Sequence, residues 1–274
     1  MKTGIIGTGN MGRILIEALL ESKAVSPSSM AISNRTLNKA IQIIDMYEGL
    51  SIYPTAFEVA RNSDLVIICV KPLDVFQVIQ DIKPAVTKNS CVVSITSPIN
   101  VDQLEHVLPC SVARIIPSIT NRALSGVSLF TFGKKCTLTW KRSLLELFSF
   151  ISSPVEIEEE VTRVASDIVS CGPAFFSYLT RRFIEGAVSE TKINEETAIK
   201  LASEMLIGLG QLLNREFYTL PALEEKVCVK GGITGEGIKV LEKELGPVFE
   251  HLFHATHEKF AEDVADLKKQ YTLH

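Results

Sequence analysis

Apolar positions follow one pattern in the first 157 residues and another in the rest. Short continuous apolar runs recur at Lys2–Ile6, Met30–Ser33, Leu65–Val70, Cys91–Ile95, Val112–Ile116 and Val127–Phe132, with a last one near Pro154–Ile157. Runs of this length, bounded by turn residues, predict buried strands, and helical-period stretches separate several of them. Strands alternating with helices predict an α/β fold built on a Rossmann-type, doubly wound, mostly parallel sheet. From Glu158 the strand signal stops. Helices are predicted over Val161–Val169, from Gly172-Pro173 onward, from an Asn194 cap to about Arg215, around Gly235–Glu244 and from Pro247 toward Lys269. The expected domains are therefore a Rossmann-type α/β domain, 1–157, and an all-helical domain, 158–274.

The helical half is rich in apolar faces. Ala198, Leu201, Ala202, Met205, Leu206, Leu209, Leu212 and Leu213 recur at helical spacing, and Gly208 and Gly210 allow another helix to come close. More apolar surface than one face needs predicts a homodimer or a higher homo-oligomer.

The first strand runs directly into Gly7-x-Gly9-x-x-Gly12, followed by an amphipathic helix carrying Ile14, Leu15, Ala18 and Leu19. Gly7 permits the tight turn, Gly9 lets a pyrophosphate approach bare backbone, and Gly12 lets the helix pack against the strand. The helix N-terminus adds free N–H groups and a partial positive charge. In this strand–loop–helix context the spacing reads as a dinucleotide site.

The second strand selects the nucleotide. Where an NAD site has Asp or Glu, this strand ends Ser33, Asn34, Arg35, Thr36. Arg35 can pair with a 2′-phosphate, and Ser33, Asn34 and Thr36 can donate to it, so NADP(H) is expected, with NADPH preferred over NADH. Later strands run into prolines at Val70-Lys71-Pro72, Ile95-Thr96-Ser97-Pro98 and Ile116-Pro117-Ser118. These turns are expected to line the crevice around the nicotinamide.

Composition removes other classes. The 274 residues are 46% hydrophobic and 22% charged, with a net charge of −4. That charge leaves no footprint for nucleic acid, and no apolar run is long enough to span a membrane. Met1-Lys2 leads straight into a strand, without a signal peptide. Cys69, Cys91, Cys110, Cys136, Cys171 and Cys228 lack paired spacing, which fits a cytoplasmic setting with neither disulfide nor metal. His251, His254 and His257 step round a helix by threes and read as a helix face rather than a metal site. Trp140, among Lys and Arg, reads as a packing anchor.

A second glycine loop, Gly231, Gly232 and Gly235 around Ile233 and Thr234, lies between helices. A helix starting near Gly235 would aim the loop N–H groups and the Thr234 hydroxyl at one point, suited to a carboxylate or an imine nitrogen. The same residues also suit a plain helix–helix turn with Thr234 as N-cap.

Together these segments resemble the pyrroline-5-carboxylate reductases. The resemblance rests on Ile5 to Met11 with its Asn10-Met11 pair, on Ser170 to Ala174, on Gly231 to Thr234 followed by Gly237, Ile238 and Val240 to Glu242, and on Val70-Lys71-Pro72. It runs in order along nearly the whole chain. It implies a Rossmann domain joined to an interlocking helical dimer domain, in which NAD(P)H gives a hydride to C5 of a cyclic imine and L-proline leaves. Carried over by motif, Thr234 would bond the ring nitrogen and help protonate it. Backbone N–H groups of Gly231, Gly232, Ile233 and Thr234 would hold the substrate carboxylate, and Glu159 would lie on the substrate side. Gly7, Thr8, Gly9, Asn10, Met11, Ser33, Asn34, Arg35, Val70, Lys71, Pro72 and Thr96 would hold the cofactor.

The substrate end departs from the family pattern. Val229-Lys230 replaces Ser-Pro, Thr96-Ser97-Pro98 replaces Ala-Ala-Gly, and Pro117 to Thr120 replaces Pro-Asn-Thr-Pro. Cys171 stands for a serine and Ala56 for an asparagine. A near-intact cofactor loop with an altered substrate end is similar to the ComER-like paralogues encoded beside late competence genes. It leaves two readings: an enzyme acting on a cyclic imine, or a diverged nucleotide-binding regulator.

Overall fold

The computed structural model of the chain describes residues 1–272. Its centre is an eight-stranded sheet in the order β3-β2-β1-β4-β5-β6-β7-β8. The strands are β1 Thr3–Ile6, β2 Met30–Ser33, β3 Ser51–Ile52, β4 Leu65–Ile68, β5 Cys91–Ser94, β6 Ser111–Ile116, β7 Val127–Phe132 and β8 Ser153–Glu156. Each neighbouring pair is parallel except β6 with β7. The expected doubly wound sheet is therefore present. β3 has no counterpart in the sequence prediction: two half-buried residues are too short to show a period.

Alternate strand residues face opposite sides, and both sides are covered. Ile5, Ile32, Leu65, Ile67 and Val93 pack with Leu15, Ile16 and Leu19 of α1 (Asn10–Glu21) and with Leu144 and Phe148 of the helix Leu138–Ser149. On the other face Ile6, Val66, Ile68 and Val92 pack with Val59, Val75, Ile79 and Leu104, and with Leu267 from the far end of the chain. A sheet buried on both faces needs strands that are apolar throughout, which is why these strands read as continuous runs.

The remaining helices in chain order are α2 Leu37–Ile44, α3 Ala56–Arg61, α4 Pro72–Ile82, α5 Val101–Val107, α6 Leu138–Ser149, α7 Thr162–Ser166, α8 Gly172–Glu190, α9 Glu195–Asn214, α10 Leu220–Val227, α11 Ile233–Leu245 and α12 Val248–Thr272. The described chain divides into two compact units. One is Met1–Pro173 with the segment from Ala255 onward; the other is Ala174–His254. In the second unit Asn194 caps α9 through a hydrogen bond from the Thr197 N–H, as its sequence predicts. That unit leaves large apolar side chains uncovered. Phe183, Leu201 and Met205 are 70%, 59% and 49% exposed and line an apolar groove of about 250 Å³.

Two helical boundaries differ from expectation. Val161–Val169 and the segment from Gly172 are not separate helices: α7 passes through a π-helical stretch, Asp167–Cys171, into α8. Pro173 has no N–H to offer the carbonyl four residues back, Val169, and the Ser118 hydroxyl donates to that oxygen instead, at 2.7 Å. The second glycine loop also starts its helix early. Gly232 is the N-cap of α11, so Thr234 lies inside the first turn and is not a cap.

Candidate functional site

The glycine loop is built by backbone constraints. Gly7 sits at φ +98°, and its N–H donates to the Ser33 carbonyl at 2.8 Å. A Cβ on Gly12 would lie 2.0 Å from the Gly7 carbonyl oxygen, so only glycine lets α1 start this close to the loop. A Cβ on Gly9 would meet no atom within 4 Å. Open space therefore lies over Gly9, the N-cap of α1. No side chain caps that helix and no acidic residue occupies its first turn. An uncapped helix N-terminus facing open space suits a pyrophosphate.

Two cavities adjoin at Gly9, Val70 and Lys71. The first, of about 410 Å³, is lined by Gly7, Gly9, Ser33, Asn34, Arg35 and Thr36 from β1, β2 and their turns, and by Val70, Lys71, Asp74 and Asp81. The second, of about 660 Å³, is lined by Gly9, Asn10 and Met11, by the strand-end turns at Lys71-Pro72, Thr96 to Pro98 and Ile116-Pro117, and by Arg163, Ser166, Ser170 and Cys171. The structure thus brings together Gly7, Gly9, Asn10, Met11, Ser33, Asn34, Arg35, Val70, Lys71, Pro72 and Thr96. Thr8 lines neither cavity. Its N–H donates to Asn34 Oδ1 at 3.1 Å, while Asn34 Nδ2 donates to the Thr36 carbonyl at 2.8 Å. Asn34 therefore braces the glycine loop. These residues fit a dinucleotide, with its phosphates at α1.

Arg35 is 89% exposed at its side chain and faces Asp74 of α4 at 3.9 Å. The strand-end pattern carries no carboxylate, but the fold supplies Asp74 and Asp81 from a helix more than 35 residues further along. Sequence reasoning missed them because their position depends on how α4 packs.

Glu159 lies elsewhere. Its two carboxylate oxygens accept from Arg114 Nη1 at 3.0 Å and Nη2 at 2.8 Å. The Arg114 side chain is fully buried, and it also donates to Ser97 O, Thr131 Oγ1 and Thr162 Oγ1. Glu159 lines neither cavity. A charged residue inside the apolar run Val112 to Ile116 is the sequence signal for Arg114.

In the second unit Gly231 takes φ +76° and Gly232 caps α11. Ile233 is 92% exposed and Thr234 is exposed. Cys171 and Arg163 were not among the expected site residues. Burial raises the Cys171 thiol, against the pull of Arg163. Among the described residues no group of His, Cys, Asp and Glu is arranged to hold a metal ion, and no helix is long and apolar enough to cross a membrane.

Comparison with known proteins agrees with this architecture. Residues 159–263 match the family model "Pyrroline-5-carboxylate reductase dimerisation", and residues 2–98 match "NADP oxidoreductase coenzyme F420-dependent". The chain is 53% identical over 271 residues to ComE operon protein 4 of Bacillus subtilis, covering 99% of each chain. It is 30% identical over 258 residues to Pyrroline-5-carboxylate reductase 3 of the same organism, covering 94% of each. The fold is that of the Plasmodium falciparum pyrroline carboxylate reductase solved with NADP bound, at 21% identity and TM-score 0.81, covering 97% of this chain and 98% of that one. On this glycine-loop architecture and these relatives, the chain belongs to the pyrroline-5-carboxylate reductase family.

Proposed function

We propose that the protein is an NADP(H)-dependent reductase of a cyclic imine, with 1-pyrroline-5-carboxylate as substrate and L-proline as product. The observation that carries this reading is the uncapped α1 N-terminus under open space at Gly9, continuous with a cavity walled by the strand-end turns. Bound NADPH supplies a hydride. The protein's part is placement. α1 and Gly9 hold the phosphates, Arg35 takes the 2′-phosphate and gives the preference for NADPH, and the turns at Val70–Pro72 and Thr96 orient the nicotinamide end. Thr234 orients or relays a proton toward the ring nitrogen, since its hydroxyl has no useful acidity of its own. Backbone N–H groups from Gly231 to Thr234 hold the substrate carboxylate. The uncovered apolar groove at Phe183, Leu201 and Met205 supports a homodimer, in line with the dimerisation match. A cytoplasmic location completes this reading. The test is loss of the nicotinamide absorbance when the purified protein meets NADPH and pyrroline-5-carboxylate. Cofactor binding without turnover rejects it.

One observation favours a second reading, a nucleotide-binding regulator that has lost the reaction. Val229 stands where the family has a serine, and the more similar of the two Bacillus subtilis relatives is named for a competence operon. A Val229→Ser change that restores turnover marks a damaged enzyme pocket. No gain, together with a protein partner that binds only the nucleotide-loaded form, supports the regulator.

A further inference from the structure

We infer that Arg163 is the residue of the second cavity that binds a carboxylate of the ligand. The residues lining that cavity include two cations, Lys71 and Arg163, and no Asp or Glu. Such a lining offers an anion directed N–H donors and no facing carboxylate. Lys71 stands where both cavities meet, beside the glycine loop. Arg163 lines the second cavity and not the first, as do Ile116, Pro117 and Cys171.

The guanidinium is held in one orientation. Nη2 donates to Asp167 Oδ1 at 2.8 Å and approaches Cys171 Sγ at 3.5 Å. Asp167 is 1% exposed, and its other oxygen accepts from Thr256 Oγ1 at 2.7 Å. The Phe260 ring lies against the guanidinium carbon at 5.4 Å from its centroid. The Arg163 side chain is still 15% exposed, and its Nε is buried without a hydrogen-bond partner among the described residues. A buried carboxylate behind, an aromatic face against the plane and an unpartnered N–H on a residue that lines the cavity make a preorganised anion receptor. Asp167 also balances the charge, so the receptor offers directed donors without making the cavity strongly positive. That matters for an imine, which must carry a proton to accept a hydride. Arg163 thus adds a side-chain donor for the anionic arm of the substrate, in a chain where Val229 cannot supply a hydroxyl.

The identity of the ring rests on the imine-reductase reading; the carboxylate site does not. The test is calorimetric titration of the NADP⁺-loaded protein with L-proline and with pyrrolidine, the same ring without a carboxylate. The wild-type protein is expected to bind L-proline at least tenfold more tightly than pyrrolidine. Arg163→Gln is expected to narrow that difference at least threefold while NADP⁺ affinity stays within twofold. If Arg163→Gln unfolds by leaving Asp167 unpaired, the paired change Arg163→Gln with Asp167→Asn removes both charges together and is read in the same way. Equal binding of the two rings by the wild type overturns the inference, as does unchanged L-proline binding in the variant. A fall in NADP⁺ affinity that accounts for the loss also overturns it, because the guanidinium then reads the cofactor. Turnover of pyrroline-5-carboxylate is scored separately. Turnover that ignores Arg163 defeats this inference alone, and Arg163-dependent binding without turnover defeats the reductase reading alone.

Discussion

Arg114 and Glu159, 45 residues apart in the chain, form a two-pronged ion pair in which the arginine is fully buried and the glutamate is about half exposed. The glutamate's position is explained by the arginine: removing either oxygen leaves a buried cation short of a partner. Glu159→Gln is therefore expected to lower stability by about 2 kcal/mol, moderated by the remaining bonds to Ser97, Thr131 and Thr162. Thermal melting should fall by about 4–8 °C. An unchanged melt with a large loss of substrate binding would show that Glu159 serves the ligand instead.

Gly9 and Gly12 separate binding from folding. An alanine Cβ at position 9 meets no atom, while one at position 12 strikes the Gly7 carbonyl at 2.0 Å. Gly9→Ala is expected to melt like wild type and to lose dinucleotide affinity by tenfold or more. Gly12→Ala is expected to lose both. Calorimetry of NADPH binding beside thermal melts decides it, and full affinity in Gly9→Ala refutes the placement of the phosphates.

Arg35 and Asp74 act in opposition on a 2′-phosphate. Arg35→Ala should weaken NADPH about tenfold, or ~1.4 kcal/mol, and leave NADH within twofold. Asp74→Asn, which frees the arginine from its neighbour at 3.9 Å, should strengthen NADPH. Fluorescence titration with both nucleotides reads the outcome. A loss of NADH affinity alone in Arg35→Ala would contradict the choice of nucleotide.

The Arg122 guanidinium bonds both oxygens of Glu21 and holds that carboxyl below its usual range. A group with a lowered folded pKa stabilises the fold above the unfolded value and loses that contribution as pH falls through the folded one. Wild type should therefore exceed Glu21→Gln in stability at pH 7, by less than about 1 kcal/mol because the pair is exposed. The two should converge below about pH 4. Melts across pH 3 to 7 check this; parallel curves down to pH 3 would refute it.

Ser118 supplies the hydrogen that Pro173 cannot give to the Val169 carbonyl. Ser118→Ala is expected to cost about 1 kcal/mol, because it removes the side-chain donor from that oxygen. Proteolysis should then open the chain near residues 167–171 before it opens the sheet. Unaltered protection there would count against the role.

Much of this was legible along the chain because it depends on local physics. Gly7, Gly9 and Gly12 announce a strand–loop–helix turn, and Asn194 announces its helix. The start of α11 was misplaced because Thr234 offers a capping hydroxyl while a bare glycine two residues earlier takes the cap. Asp74, Arg114 and Arg163 were not legible as a group. A local pattern shows Arg114 only as a charge in an apolar run and Arg163 only as an i,i+4 partner of Asp167; Glu159, Phe260 and, for Asp74, Arg35 lie tens of residues away.

The wide turn at Asp167–Cys171 holds about one residue more than an α-helical turn would. Its i→i+5 bonds take up that surplus without ending the helix, so removing one residue there should close it to ordinary α-helix rather than break the chain. Homologues should accordingly fall into two length classes at this point, one with five residues in the bulge and one with four and no bulge.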